Sequence, residues 1–407
     1  MIVGNFLRWA RSASAAQRAE GAGALASAFL YSELDADSHR EAEIAFLSLV
    51  DDASPLVRRA LADAFASAAR APRSLISALA NDQSDIAAPV LSRSPLLSEA
   101  ELIDCAAIGD AFAQSAIALR ARVPVSVAAA LAEVGALEAL ISLAVNPGAD
   151  LAEFSMIRMV ERFGDDGDMR EALLSRPDLP ASVRSALVEA ATASLTTFVV
   201  DCGWLSPERA ARLSRETRDK ANVIIVAETT SEQGRHGLRS FTAHLRRSGQ
   251  LTASLVLRAL LSGRRDLFEA ALVELSRLSE DRVLGQLRNF RGAGFAALYV
   301  KAGLPPQFLP AFRAALEAER EFGALHKGAG EAQLCLAMIE RVLTVCTELN
   351  DGELDRLMAL LRRFEMEAAL EAARERAPQL AEQTWEPRLA APQIDMLALE
   401  AALAEAA

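Results

Sequence analysis

The sequence predicts an all-α protein on three observations. Alanine supplies about a fifth of the 407 residues, while Phe, Trp and Tyr together reach 5%. Alanine is the strongest helix former, whereas strands favour aromatic and β-branched side chains. Apolar residues recur at three- and four-residue spacing in short runs. Between the runs stand Asp, Asn, Ser and Pro, the residues that open helices. With 52% hydrophobic and 24% charged residues, the chain has material for a core and is not disordered as a whole. Its length exceeds one ordinary domain, so two or three packed units or one elongated array are expected.

Residues 1–32 read as an N-terminal helical segment. Ala22–Tyr31, after Arg8, Arg11 and Arg18, has the outline of a signal peptide, but its alanines and glycines make a poor hydrophobic segment and cleavage is not expected. Residues 33–191 repeat a short theme. Ser54 and Pro55 open a helix whose Val57, Leu61 and Phe65 share a face. Pro72 opens another through Leu75, Ile76 and Leu79, and Ser84-Asp85-Ile86 begin a third. Pro89 falls within that apparent first turn, so this helix either starts later or kinks there. Ser98 and Glu101 form a capping box ahead of Leu102. Further starts lie near Pro124, at Asn146-Pro147 and at Pro177–Pro180.

The helix-opening residues Val57, Ile86, Val127, Leu151 and Val183 stand 29, 41, 24 and 32 residues apart. Short helices that cannot bury an apolar face alone, repeated at irregular intervals, predict a HEAT-like helical-repeat solenoid. The expected form is a right-handed stack of antiparallel pairs. Its inward positions are Val57, Leu61, Leu79, Ile103, Leu140, Ile157 and Leu187.

Residues 192–322 read as a helical domain with a basic surface. Ser206-Pro207-Glu208 start an arginine-rich helix through Arg218. Asn222–Val226 is strand-like, but helical patterns on both sides favour a buried helix segment. After a polar break at Thr229–Gly237, helices begin near Thr252, Asp266, Ser279 and Gly294, and Gln307–Phe322 follows Pro305-Pro306. Residues 323–378 form a C-terminal helical hairpin, Glu331–Leu349 and Glu353–Arg376. The apolar stripe of its first helix is too broad for one partner helix. It needs either Gln307–Phe322 of the same chain, favoured by the short linker, or the hairpin of a second chain in a homodimer. Residues 379–407 read as a partly ordered tail.

Three stretches carry a family resemblance: Ala88–Leu97, Leu257–Leu260 continuing into Asp266–Leu272, and Gly294–Tyr299 followed by Lys301–Pro305. On them the chain resembles an uncharacterised family of alphaproteobacterial proteins, a domain of unknown function, across roughly residues 45 to 320. The resemblance implies an all-helical, HEAT-like protein with no assigned activity.

Charge is uneven beneath the net −12. Glu33–Asp178 holds 12 basic and 24 acidic residues, Trp204–Lys301 holds 17 and 10, and Leu316 to the end holds 9 and 18. A basic middle between acidic flanks suits either an anionic partner or an ordinary surface with arginine-rich helices. The densest basic stretch is Arg235, Arg239, Arg246 and Arg247, flanked by His236 and His244, with Arg264 and Arg265 in the next helix. Guanidinium forks match phosphates and carboxylates alike. The plainer reading, and the preferred one, pairs these arginines with nearby acids or leaves them solvated.

No motif for nucleophilic catalysis, nucleotide binding or zinc ligation is present, and no cofactor or metal is expected. Arg291–Phe295 has the outline of an anion cradle at a helix start, although Gly292 and Gly294 more often mark a tight turn. Asp165–Asp168 resembles the start of a calcium loop but lacks the closing glutamate. The cysteines (Cys105, Cys202, Cys335, Cys346) show no paired spacing, which suits reduced thiols in the cytoplasm. No apolar run of membrane-spanning length is read from the sequence, so no membrane partner is expected. The chain therefore reads as a non-enzymatic scaffold that binds another protein. A nucleic-acid-binding HEAT-like protein using the basic middle is the alternative.

Overall fold

The computed structural model describes residues 2–229, 234–325, 331–348 and 355–383. The chain is all-α, with no β-strand among the described residues and one isolated parallel bridge, Val123–Ala149. Contacts divide it into two compact units, Met1–Leu245 and Arg246–Ala407.

The first unit opens with α1 (Ile2–Ala10), α2 (Ala15–Tyr31), α3 (Ala36–Val50), α4 (Pro55–Phe65), α5 (Arg73–Ala80), α6 (Ser84–Arg93) and α7 (Glu99–Ile108). It continues with α8 (Ala111–Ala118), α9 (Val125–Val134), α10 (Leu137–Val145), α11 (Glu153–Phe163), α12 (Gly167–Leu174), α13 (Ala181–Asp201) and α14 (Pro207–Thr229). The next helix, α15 (Gly234–Arg247), carries the boundary between units.

Helices two apart in the chain pack together. α2, α4, α6, α8, α10 and α12 form one layer, while α7, α9, α11 and α13 form the other. This two-layer order is what short amphipathic helices need, since each buries its stripe on the neighbouring pair. The repeat is more regular than the sequence spacings suggest. The residues preceding α5, α7, α9, α11 and α13 (Pro72, Ser98, Pro124, Ala152 and Pro180) stand 26, 26, 28 and 28 residues apart. The irregular intervals arose from counting helices of both layers in one series.

Val57, Leu61, Leu79, Leu140 and Leu187 are buried as expected. Ile103 and Ile157 pack against the same core from its margin and are only half-buried. Phe29, Phe46 and Phe65 close the N-terminal end, with ring centroids 4.9 to 5.9 Å apart. Pro89 lies inside α6, which starts at Ser84 ahead of it. The Ser98–Glu101 capping box forms. Asn222–Val226 is helical, within α14.

Three arginines fasten a helix pair to the one before. Arg120 donates to the carbonyls of Leu91 and Ser94 at the end of α6. Arg162 donates to Ala132 and Gly135 at the end of α9, both at 2.8 Å. Arg176 reaches Ala144 and Asn146 at the end of α10. The last carbonyls of a helix lack intrahelical partners and carry partial negative charge, so a guanidinium there satisfies both needs. Ion pairs repeat the same stride: Arg58–Asp82, Arg59–Asp85, Arg73–Glu101 and Arg158–Glu133.

α13 runs unbroken through the expected 191/192 domain boundary. Contrary to the sequence reading, it is long and apolar enough to cross a membrane by length and composition. Its first half is nevertheless core, with Val183 and Leu187 buried.

The second unit holds α16 (Ala253–Leu261), α17 (Arg265–Ser276), α18 (Glu280–Arg288), α19 (Ala293–Lys301), α20 (Leu309–Leu325), α21 (Glu331–Glu348) and α22 (Asp355–Gln383). Its centre is α16, whose residues from Leu255 to Leu261 are all buried. Arg258 among them reaches Glu367 at 2.8 Å and lies 3.9 Å over the ring of Phe364. Both α20 and α22 pack on α21, covering Met338, Ile339, Val342 and Cys346. This is the intrachain dock the sequence favoured. α22 continues past Arg376 and through Pro378. The expected tail lies outside the described residues beyond Gln383.

Candidate interaction surface

The six arginines singled out in the sequence are divided between the units. Arg239 is an exposed residue of the first, and the Arg235 side chain lies outside the described residues. In the second unit Arg246 pairs with Glu274, Arg264 with Asp266 at 2.8 Å, and Arg265 with both Glu269 and Glu319 at 2.7 and 2.9 Å. Arg247 is exposed and His244 is buried. Carboxylates thus neutralise Arg246, Arg264 and Arg265.

The other polar candidates are structural. A Cβ built at Gly294 would collide with the Gln286 carboxamide, so a side chain already fills the supposed anion cradle. Asp166 caps α12 by accepting from the Met169 N–H at 2.9 Å. No group of three or more His, Cys, Asp or Glu among the described residues is placed to hold a metal. The four cysteines are free. Burial pushes the thiols of Cys335 and Cys346 up to about 11, which keeps them protonated at neutral pH.

A different feature emerges on the first unit. Leu119 follows α8, Val145 ends α10 and Leu174 ends α12, and each is more than half exposed. Leu119 and Val145 each stand nine residues after the N-cap of their helix, Asp110 and Ala136, and Leu174 stands eight after Asp166, so all three lie at the C-terminal ends of their helices. Because α8, α10 and α12 are direct neighbours, these exposed helix ends succeed one another in a row along one edge, over about 20 Å at usual interaxial distances of roughly 8–10 Å. Val125, which begins α9, and Phe154, near the start of α11, are exposed at the same edge.

The edge is rigid. Val123 donates to Gly148 O at 3.0 Å and Asp150 to Val123 O at 2.9 Å, so two connecting segments pair side by side. The Asn146 amide donates to the carbonyls of Ala118 and Arg120. Charges beside the row are mutually paired, Arg122 with Asp150 and Arg176 with Asp178. An apolar centre with a neutral polar rim is the anatomy of a protein interface. A nucleic-acid groove needs unneutralised cations.

Sequence reasoning missed this row. Its signal was present at the ends of the α8, α10 and α12 runs, but it becomes visible only when those helices are aligned with one another.

Residues 86–350 match a family described as an uncharacterised protein conserved in bacteria, DUF2336. The chain belongs to the DUF2336 family. No curated protein and no solved structure matches it. The DUF2336 region takes in the whole apolar row, together with the α13–α14 hairpin and most of the second unit. Of the residues behind the family resemblance, Gly294 admits Gln286, and Tyr299 is buried and donates its hydroxyl to Pro305 O at 2.9 Å. These residues maintain packing.

Proposed function

We propose that this DUF2336 chain is a non-enzymatic HEAT-like scaffold of the bacterial cytoplasm, binding another protein along the row Leu119–Val145–Leu174. The row carries the proposal. Exposed apolar side chains at the C-terminal ends of three successive helices offer a pre-ordered strip to an extended or helical partner segment, which lowers the entropic cost of association. The paired charges beside it set orientation more than affinity.

A photo-crosslinking residue at position 145 tests this. A protein partner should be captured through it, and capture should fall by roughly tenfold or more when Leu119 and Leu174 are both changed to serine, with the unfolding midpoint unchanged. A captured set indifferent to those substitutions, or none at all, overturns the proposal.

A further inference from the structure

The tip of the α13–α14 hairpin presents a second apolar surface, away from the row and different in kind. Leu195, Phe198 and Trp204 are each more than half exposed. Phe198 and Trp204 meet edge to face with centroids 5.5 Å apart, so the tip is a built aromatic knob. Leading into it, residues 190–200 contain no charged side chain. The hydroxyls in that run are satisfied within the helix. Thr192 donates to Val188 O at 2.7 Å, Ser194 to Ala190 O at 3.1 Å, Thr196 to Thr192 O at 2.6 Å and Thr197 to Ala193 O at 3.2 Å. Beyond the tip, α14 exposes Arg209, Arg212 and Arg215, against the carboxylates of Asp201 and Glu208.

We propose that this hairpin tip inserts into the interface of an anionic lipid bilayer. Three features select lipid over a protein occupant. Hydroxyls that donate one turn back leave no donor in want of a partner, as a low-dielectric surrounding demands. A tryptophan at the end of an apolar stretch suits the boundary between acyl chains and headgroups. The exposed arginines at the base of the knob complement anionic headgroups while their stems follow the apolar surface. The buried first half of α13 holds the helix in the protein core, so the tip enters one leaflet and does not span the bilayer.

Flotation of the full chain tests this with two kinds of vesicle, phosphatidylcholine alone and phosphatidylcholine with phosphatidylglycerol. Binding is expected to the second kind and to weaken with salt. The pair Phe198→Ser and Trp204→Ser should lower the bound fraction roughly tenfold or more, and Arg209→Glu with Arg212→Glu should abolish the preference for phosphatidylglycerol. These side chains are exposed, and circular dichroism checks that the helices persist. Failure of the unaltered chain to float overturns the proposal, as does equal flotation of the Phe198/Trp204 variant. A dimer in sedimentation that the same variant dissolves, without vesicle binding, assigns the tip to a second copy and also overturns it. None of these outcomes bears on the Leu119–Val145–Leu174 row.

Discussion

The guanidinium of Arg162 donates to the carbonyl oxygen of Gly135 at 2.8 Å, across 27 residues of sequence. Gly135 ends α9 by donating to Leu131 O at 2.7 Å, which leaves its own carbonyl facing the next pair. Arg162 thereby closes one repeat and fixes its distance to the following one. Its second bond, to Ala132 O, uses the other arm of the fork. Arg162→Ala should cost about 1–3 kcal/mol in chemical unfolding. Arg162→Lys should recover little of it, because an ammonium cannot span both carbonyls in the same plane.

Leu61 has no solvent exposure at the centre of α4. Leu61→Ala should cost roughly 2–5 kcal/mol through lost transfer energy and the cavity left behind. Chemical denaturation measures it, and a loss below about 1 kcal/mol would mean that the neighbouring helices close the gap.

Acid should loosen the first unit. The Arg18 guanidinium, supported by the Ser54 N–H, holds the Asp52 carboxyl below its ordinary 3.8, and Arg176 does the same for Asp178. A native carboxyl that keeps its charge to lower pH than the unfolded one stabilises the fold fully above the unfolded value. That contribution disappears as the pH falls through the native value. Thermal unfolding should therefore be flat near neutrality and fall below pH 3.8. Asp52→Asn should make the fall shallower.

The basic middle is expected to bind duplex DNA weakly at most, since Arg246, Arg264 and Arg265 are already paired with carboxylates. A gel shift at low salt tests this. A clear shift that falls steeply with salt and is lost on Arg239→Glu would return the nucleic-acid reading to first place.

With α20 and α22 both seated on α21, the chain should sediment as a monomer of 43.5 kDa. A dimer that dissociates when half-buried Leu336 and Val345 are both changed to serine would place the hairpin of a second copy on this face.

Local chemistry settled much of the architecture before folding. Alanine content and helical periodicity determine that the chain is all-α. Ser98 with Glu101, and Pro55 at a first helical position, mark helix starts because those signals act within one turn. The broad apolar stripe of α21 already required more cover than one helix could give. The tertiary structure decided what depends on residues some 27 apart in the chain. Which arginines cap a preceding helix, and which pair with carboxylates, follows from the stride between repeats, and no local pattern encodes that distance. Leu119, Val145 and Leu174 look like three unrelated helix ends until packing brings them into one row. Phe198 and Trp204 stay exposed because α13 runs on beyond its buried first half. Composition fixes how much apolar surface the chain must bury, and only packing determines which apolar residues stay outside.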